Sequence, residues 1–226
     1  MRGKELPGYA VVDAPSMRLA FVTGAALVLA ISVGVARAQG PDAPVVVNTS
    51  PVTGMASFVR MPGAKAGVSV TGLVQPEAAA SEFLARHGGL FGVADPQNEL
   101  VLLRTDADSI GHIHVTYTQV HGGIPVFGGM LKVHEDGYGG VYAANGSFFP
   151  IPTKLPLLPT MNASAAAAVA RTRILTGTPE VVWSEMVIVD PGWYGDRPLG
   201  VRLAYFIVLQ DLSVPLREAF FVDAHQ

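Results

Sequence analysis

Four prolines, Pro150, Pro152, Pro156 and Pro159, fall within ten residues. Each lacks the N–H that a helix or a ladder needs and fixes its own φ, so neither element continues through the stretch. The chain therefore divides there, and the order of elements read before the divide returns after it. Before it, Pro76 suits the first turn of a short helix, PEAAASEFLARHG, with Ala80, Phe83 and Leu84 as its apolar stripe and Gly88-Gly89 as a left-handed stop. Strand-like runs follow at Glu99–Arg104, His112–Val120, Ile124–His134 and Val141–Asn145, separated by Gly122-Gly123 and Asp136-Gly137. Glu99–Arg104 is apolar enough to read as a buried strand. After the divide, Asn162 or Ser164 caps an alanine-rich helix running to Leu175 and stopped by Gly177. Strands are then expected at Val181–Val189, Val201–Leu209 and Arg217–Asp223.

Adjacent strands joined by tight turns pair antiparallel. The expected fold is α+β, two small modules, each a helix packed on an antiparallel sheet. Residues 76–150 form the first module, 151–160 the Pro-rich linker and 161–226 the second. Residues 39–75, rich in Pro, Gly, Val and Ser, read as an extended lead-in with one or two strands.

Leu19–Val35 is a run of 17 uncharged residues after Met17-Arg18, and it ends at Ala36-Arg37-Ala38 before Gln39. A positive start, an apolar core and small residues at −3 and −1 describe an export signal over 1–38, cleaved between Ala38 and Gln39. Met17 is the better initiator, and an uncleaved anchor is the alternative. Without Arg2, Lys4, Arg18, Arg37, Glu5 and Asp13, 11 basic residues face 16 acidic ones, so the exported part is mildly acidic at about −5. With 15% charged residues there is no electrostatic footprint for nucleic acid. The absence of cysteine excludes disulfides, thiolate metal sites and cysteine nucleophiles.

Candidate chemistry is sparse. His112 and His114 share a strand face and could pinch a metal, with His121 near the next turn; an ordinary polar sheet face is the plainer reading. Asp106 and Asp108 read as solvated turn carboxylates. Trp183, Trp193 and Tyr194 read as packing residues, with a sugar-stacking patch as the alternative. Triplets at Asn48, Asn145 and Asn162 fit the glycosylation pattern, which is common by chance.

The segment HVTYTQVHGGIPVFGG, His114–Gly129, continuing to Pro150, resembles the propeptide motif of secreted fungalysin-like and thermolysin-like zinc metalloproteases. The matching residues are His114, Val115, Gln119, Gly123, Ile124, Pro125, Val126, Phe127, Gly128, His134, Asn145 and Gly146. Phe83–Leu100 is similar to what precedes this motif. The second half resembles the PepSY-like companion module, with Leu203-Ala204-Tyr205 opening a strand and Asp223-Ala224 near its end. Most motif glycines read as turn or close-packing positions. Pro125 predicts an edge or a strand start, and an edge there could take a partner's strand. Gln119 reads either as satisfying a backbone edge or as touching a partner.

The resemblance implies a prodomain that helps a thermolysin-like catalytic domain fold and inhibits it, in cis or in trans. Partner-contact candidates are Gln119, Gly123, Ile124, Pro125, Val126, Phe127, Gly128, Asn145, Gly146, Asp223 and Ala224. It implies a secreted, extracellular or periplasmic protein, touching membrane only through the transient signal. No cofactor is expected in this chain, since zinc and calcium belong to a catalytic domain that these residues do not include. A free-standing secreted inhibitor or binding protein of the same fold is the alternative. An enzyme is not expected: the thermolysin-type site needs H-E-x-x-H on a helix. Here the His-Glu pair, His134-Glu135, runs into Asp136-Gly137 and has no second histidine.

Overall fold

Alternating apolar and polar side chains between glycine turns make strands the main building element. A computed structural model describes residues 43–62, 75–194 and 198–225, which all lie within one compact unit, Gln39–Gln226. The expected signal with its cleavage pair Ala38 and Gln39, residues 63–74 of the lead-in, and Gln226 lie outside the described residues.

In the lead-in, β1 (Val45–Thr49) pairs antiparallel with β2 (Ala56–Arg60). Helix α1 (Pro76–His87) has proline at its start, Glu77 in the first turn and Arg86 and His87 in the last, which suits the helix dipole. Ala80, Phe83 and Leu84 are its buried face, as the apolar spacing predicts. The left-handed stop at Gly88-Gly89 is not there. Gly88 has φ −56°, and the chain runs on into a 3₁₀ turn over Gly88–Leu90. A single helical turn, α2 (Pro96–Glu99), leads into β3 (Leu100–Ala107), β4 (Ile113–His121), β5 (Ile124–Glu135) and β6 (Val141–Ser147). Past the prolines come α3 (Ala163–Arg171), β7 (Glu180–Val189), β8 (Arg202–Asp211) and β9 (Leu216–Asp223). Asn162 caps α3, its Oδ1 accepting from the Ala165 N–H at 2.9 Å. That helix ends before Leu175, at a turn in which the Thr172 hydroxyl bonds back to the Val169 carbonyl.

The fold is α+β, but its strands do not form two separate sheets. One sheet of nine strands runs β1-β2-β6-β5-β7-β8-β9, with β4 and then β3 branching from β5. The cause lies in the β4–β5 ladder. It joins Thr118 to Met130 and then Val120 to Pro125, so residues 126–129 of β5 have no registered partner on β4. Those residues swing away, and Val126 pairs parallel with Ile188 of β7. The edge expected beside Pro125 is therefore occupied, by β4 on one side and β7 next to it. Pro125 is instead the second residue of its strand, just past the Gly122-Gly123 turn.

Two apolar cores flank this crossing. Phe83, Leu84, Phe91, Val115, Leu131 and Val133 belong to the first. Val126, Ala166, Ala170, Leu203, Ile207 and Leu209 belong to the second. Neighbouring phenylalanines part company: Phe148 enters the first core and Phe149 the second. β3 departs from the buried strand expected over Glu99–Arg104. Among the described residues it pairs only with β4, and Val101 and Leu102 stay exposed because that edge position gives them cover on one side alone.

Candidate functional site

Leaving β4 exposes β5 to a physical problem, because a strand that breaks its ladder abandons backbone hydrogen bonds. Gln119, buried at 2% exposure, meets part of it, for Phe149 just beyond β6. Its Nε2 donates to the Phe149 carbonyl at 2.7 Å, and its Oε1 accepts from the Phe149 N–H at 2.9 Å. The side-chain amide thus stands in for a missing peptide and fastens β4 to the first residues of the proline stretch. The alternative in which Gln119 satisfies a backbone edge is the one the geometry shows.

The two glycines that follow Phe127 admit neighbours from opposite sides. A Cβ on Gly129 would lie 2.7 Å from the Cβ of Gln119. At Gly128 the φ is +74°, and a Cβ would lie 2.1 Å from the Tyr194 hydroxyl, which donates to the Phe127 carbonyl at 2.7 Å. Phe127 itself turns to the second half, with ring centroids 4.9 Å from Phe206 and 4.8 Å from Phe221. Gln119, Val126, Phe127 and Gly128 are thus residues of a junction between the halves. Gly123 is exposed in the turn, and Ile124 and Pro125 are half-buried after it.

The remaining polar motif residues form a second group, on the face of β4–β6 away from α1. His114 and His134 are cross-strand partners, with Nδ1 to Nδ1 at 2.8 Å. Nε2 of His134 lies 2.6 Å from Asn145 Oδ1 on β6, and Nε2 of His114 lies 3.3 Å from Asp108 Oδ2. Burial, with His114 and Lys132 adding like charge, pulls the His134 imidazole below its ordinary value against the opposing Asn145 bond. His114 therefore meets His134 across the ladder, while His112 stacks near Tyr142 at 5.1 Å. Among the described residues no three of His, Asp and Glu are placed to hold a metal ion. Asp108 is an organised turn carboxylate, accepting the Ile110 and His112 N–H groups. Asn145 is followed by Gly146 at φ +142°, where any Cβ would lie 2.0 Å from the Met130 carbonyl oxygen.

At the far end, Ala224 is fully buried; its N–H donates to Leu203 O at 3.0 Å, and its carbonyl accepts from Thr160 N at 2.9 Å. Asp223 lies 3.6 Å from Arg202. These residues close the second half onto the proline stretch, whose Ile151, Leu155 and Leu157 pack on the second core. Trp193 is buried and stacked on Phe149 at 4.0 Å, so it is a packing residue.

Two roles were not read from the sequence: the long-range bond of Tyr194, which read as a packing residue, and the buried carboxyl of Glu135. Tyr194 carries no local signal for its long-range bond to Phe127. Glu135 was legible, since the period of two that buries Leu131 and Val133 puts it on the same face. Its carboxyl is fully buried with no hydrogen-bond partner among the described residues, and burial, with Glu77 and Asp136 nearby, pushes it up to about 7.

Residues 98–148 match the Fungalysin/Thermolysin Propeptide Motif, and so contain the histidine row and the β4–β5 side of the junction. The bacillolysins of Bacillus subtilis strain 168 and of Bacillus subtilis subsp. amylosacchariticus are each 34% identical over 68 residues, 30% of this chain. The matched stretch spans 13% of the length of those relatives. Among solved structures, the Bacillus megaterium YpeB C-terminal domain aligns with 76% of this chain and 68% of its own, at 15% identity and a TM-score of 0.36.

Proposed function

We propose that this chain acts as the prodomain of a secreted thermolysin-like zinc metalloprotease, assisting the folding of the catalytic domain and blocking it until the two separate. The observation that carries the reading is the propeptide motif over residues 98–148, together with the identity to bacillolysin in part of the chain. The chain's own chemistry agrees. The sequence has no H-E-x-x-H, and His134 and Glu135 lie on a strand with their side chains on opposite faces. Inhibition then has to come from docking and occlusion. Zinc and calcium are the catalytic domain's to bind, and this chain contributes surface only.

The contact candidates separate by accessibility. Gln119, Val126 and Ala224 are buried and act by holding the fold, whereas Phe127, Pro125 and Asp223 keep surface that a docked catalytic domain can touch. Among the described residues no helix is long and apolar enough to cross a membrane.

The test uses denatured thermolysin-like catalytic domains, bacillolysin among them, refolded with and without the full chain. A rise in recovered activity after the chain is removed, and stoichiometric slowing of peptide hydrolysis by the native enzymes, are the expected results. Recovery unchanged by the chain and hydrolysis unslowed across the panel would overturn the proposal.

A further inference from the structure

Hydrogen-bond bookkeeping along the histidine row leads to a proton count. With the Asn145 amide placed with Oδ1 toward the ring, His134 Nε2 at 2.6 Å is the donor and carries a hydrogen. Asp108 Oδ2 is likewise an acceptor, so His114 Nε2 at 3.3 Å must carry one too. Burial alone would raise the Asp108 carboxyl, but bonds from the His112 and Ile110 N–H groups and from His114 outweigh it and keep it ionised. With both outer nitrogens committed as donors, two neutral rings would turn bare lone pairs toward each other. Their Nδ1 atoms are only 2.8 Å apart, a normal N–H···N separation and one that needs a cation between them. A metal ion bound at about 2.0–2.1 Å from each nitrogen would sit well off the line joining them. A proton fits on it.

We infer that His114 and His134 hold one shared proton between their Nδ1 atoms, so that the contact joining β4 to β5 on this face forms only in a bounded pH window. Removing that proton leaves lone pair against lone pair; adding a second sets two imidazolium N–H groups against each other. The surroundings fit one positive charge and not two. Asp108 faces the pair from the β3–β4 loop, 3.3 Å from His114 and 4.0 Å from His112 Nδ1. Across β3, Asp106 is already paired with Arg104 at 3.0 Å. Lys132 on β5 adds like charge, Arg60 on β2 lies in the row through Ala143, and Tyr142 lies 5.9 Å from the His134 ring. Asn145 is neutral. The lowered His134 marks it as the ring that resists the second proton. The inference stands on this fold alone and does not need the prodomain reading.

The test is ¹⁵N-histidine NMR of the full chain across pH, supported by thermal melts. The expected result is coupled titration of His114 and His134, both carrying hydrogen on Nε2, with one exchange-protected proton between the Nδ1 atoms that disappears at both ends of the range. Asp108→Asn should move the loss of that shared proton down by about one pH unit without unfolding the chain. His134→Gln should abolish the coupling and the exchange-protected proton with it. Two independent histidine titrations, a His134 hydrogen on Nδ1 with Nε2 bare, or an Asp108→Asn titration identical to wild type would overturn it. So would Zn²⁺ binding at both Nδ1 atoms in preference to the proton at neutral pH.

Discussion

The two halves of the sheet both bury carboxyl groups and treat them in opposite ways. In the second half, Asp190 accepts the N–H groups of Gly192, Leu199 and Gly200. Asp211 accepts from Thr178 N and from both Ser213 N and its hydroxyl; these bonds outweigh burial and hold its carboxyl at about 2. In the first half, Glu135 and the Thr116 hydroxyl are buried with no partner among the described residues, and a histidine pair faces itself. A buried acid ringed by backbone N–H groups ties loops together, whereas an unpartnered one makes stability depend on pH. The first half is also the half that matches the propeptide motif. Besides the core residues Val115 and Val126, its specific residues make the crossing to β7 and line a titratable face.

The largest break in this comparison is expected from Gly146→Val. The new side chain would meet the Met130 carbonyl, a backbone atom that cannot swing aside, at φ +142°. A loss of more than about 3 kcal/mol is expected, read as failure to fold cooperatively in urea titration. Its counterpart is Gly200→Ala in the second half, where φ is +104° but the nearest atom is the mobile end of Arg202 at 3.9 Å. Only the cost of the left-handed backbone applies there, about 1–2 kcal/mol. Equal losses would show that both halves are constrained alike.

Next is Gln119→Ala, which strands the buried N–H and carbonyl of Phe149 together. About 2–4 kcal/mol should be lost. Hydrogen exchange should show the segment at Phe149, and the second core its ring enters, opening separately from β4–β6, since the peptide-like bridge from β4 to Phe149 is gone. A uniform change in exchange across both halves would contradict the assignment of Gln119 to the junction.

How much of this was legible depended on range. The face of α1, the cap at Asn162 and the strand positions follow from period, proline and turn chemistry acting within a few residues. Gly128 and Gly129 read as turn or close-packing positions, and only glycine admits the neighbours found there; Gly146, not read that way, is tighter still. The crossing of β5 to β7 was not legible. It rests on one pairing between residues 126 and 188 and on a side chain 30 positions from its backbone partner, and no local pattern encodes either. Val101 and Leu102 misled for a related reason: an apolar run looks the same at an edge as in an interior, and the difference is made by a strand elsewhere in the chain.

Glu135→Gln sharpens the contrast between the buried acids. A carboxyl raised from 4.5 to about 7 on folding stabilises the native state below its unfolded value, and that contribution is lost as pH rises toward and through 7. The variant should remove that loss and exceed wild type at pH 8 by roughly 2 kcal/mol, after allowance for solvent screening. In the variant background stability should fall on the acid side, as pH drops below about 6.5, because the lowered His134 binds its proton more readily in the unfolded chain, and on the alkaline side only as the proton shared with His114 is lost. For Asp211, held at about 2, the sign is opposite to that of Glu135: its contribution is present above the ordinary carboxylate value and vanishes as pH falls through 2. Urea unfolding at pH 3, 5 and 8 separates the three groups. A Glu135→Gln protein that loses as much stability as wild type on going from pH 5 to pH 8 would remove Glu135 from the account.

Tyr194→Phe is the mildest change and isolates one side of the crossing from the other. The ring contact with Phe127, at 5.8 Å between centroids, survives the substitution, and only the bond to the Phe127 carbonyl is lost. Because Tyr194 is more than half exposed, water can replace the phenol, and no more than about 1 kcal/mol should be lost. Gln119 has no such substitute, since its partner atoms lie where water does not reach. If the two fasten the same junction, Gln119 at Phe149 and Tyr194 at Phe127, the Gln119→Ala, Tyr194→Phe double variant should lose more than the sum of its parts, because each change alone leaves the other bond in place. Strict additivity would mean that the two sides of the Gly128-Gly129 bulge act independently, and that Gln119 alone fixes where β5 crosses to β7.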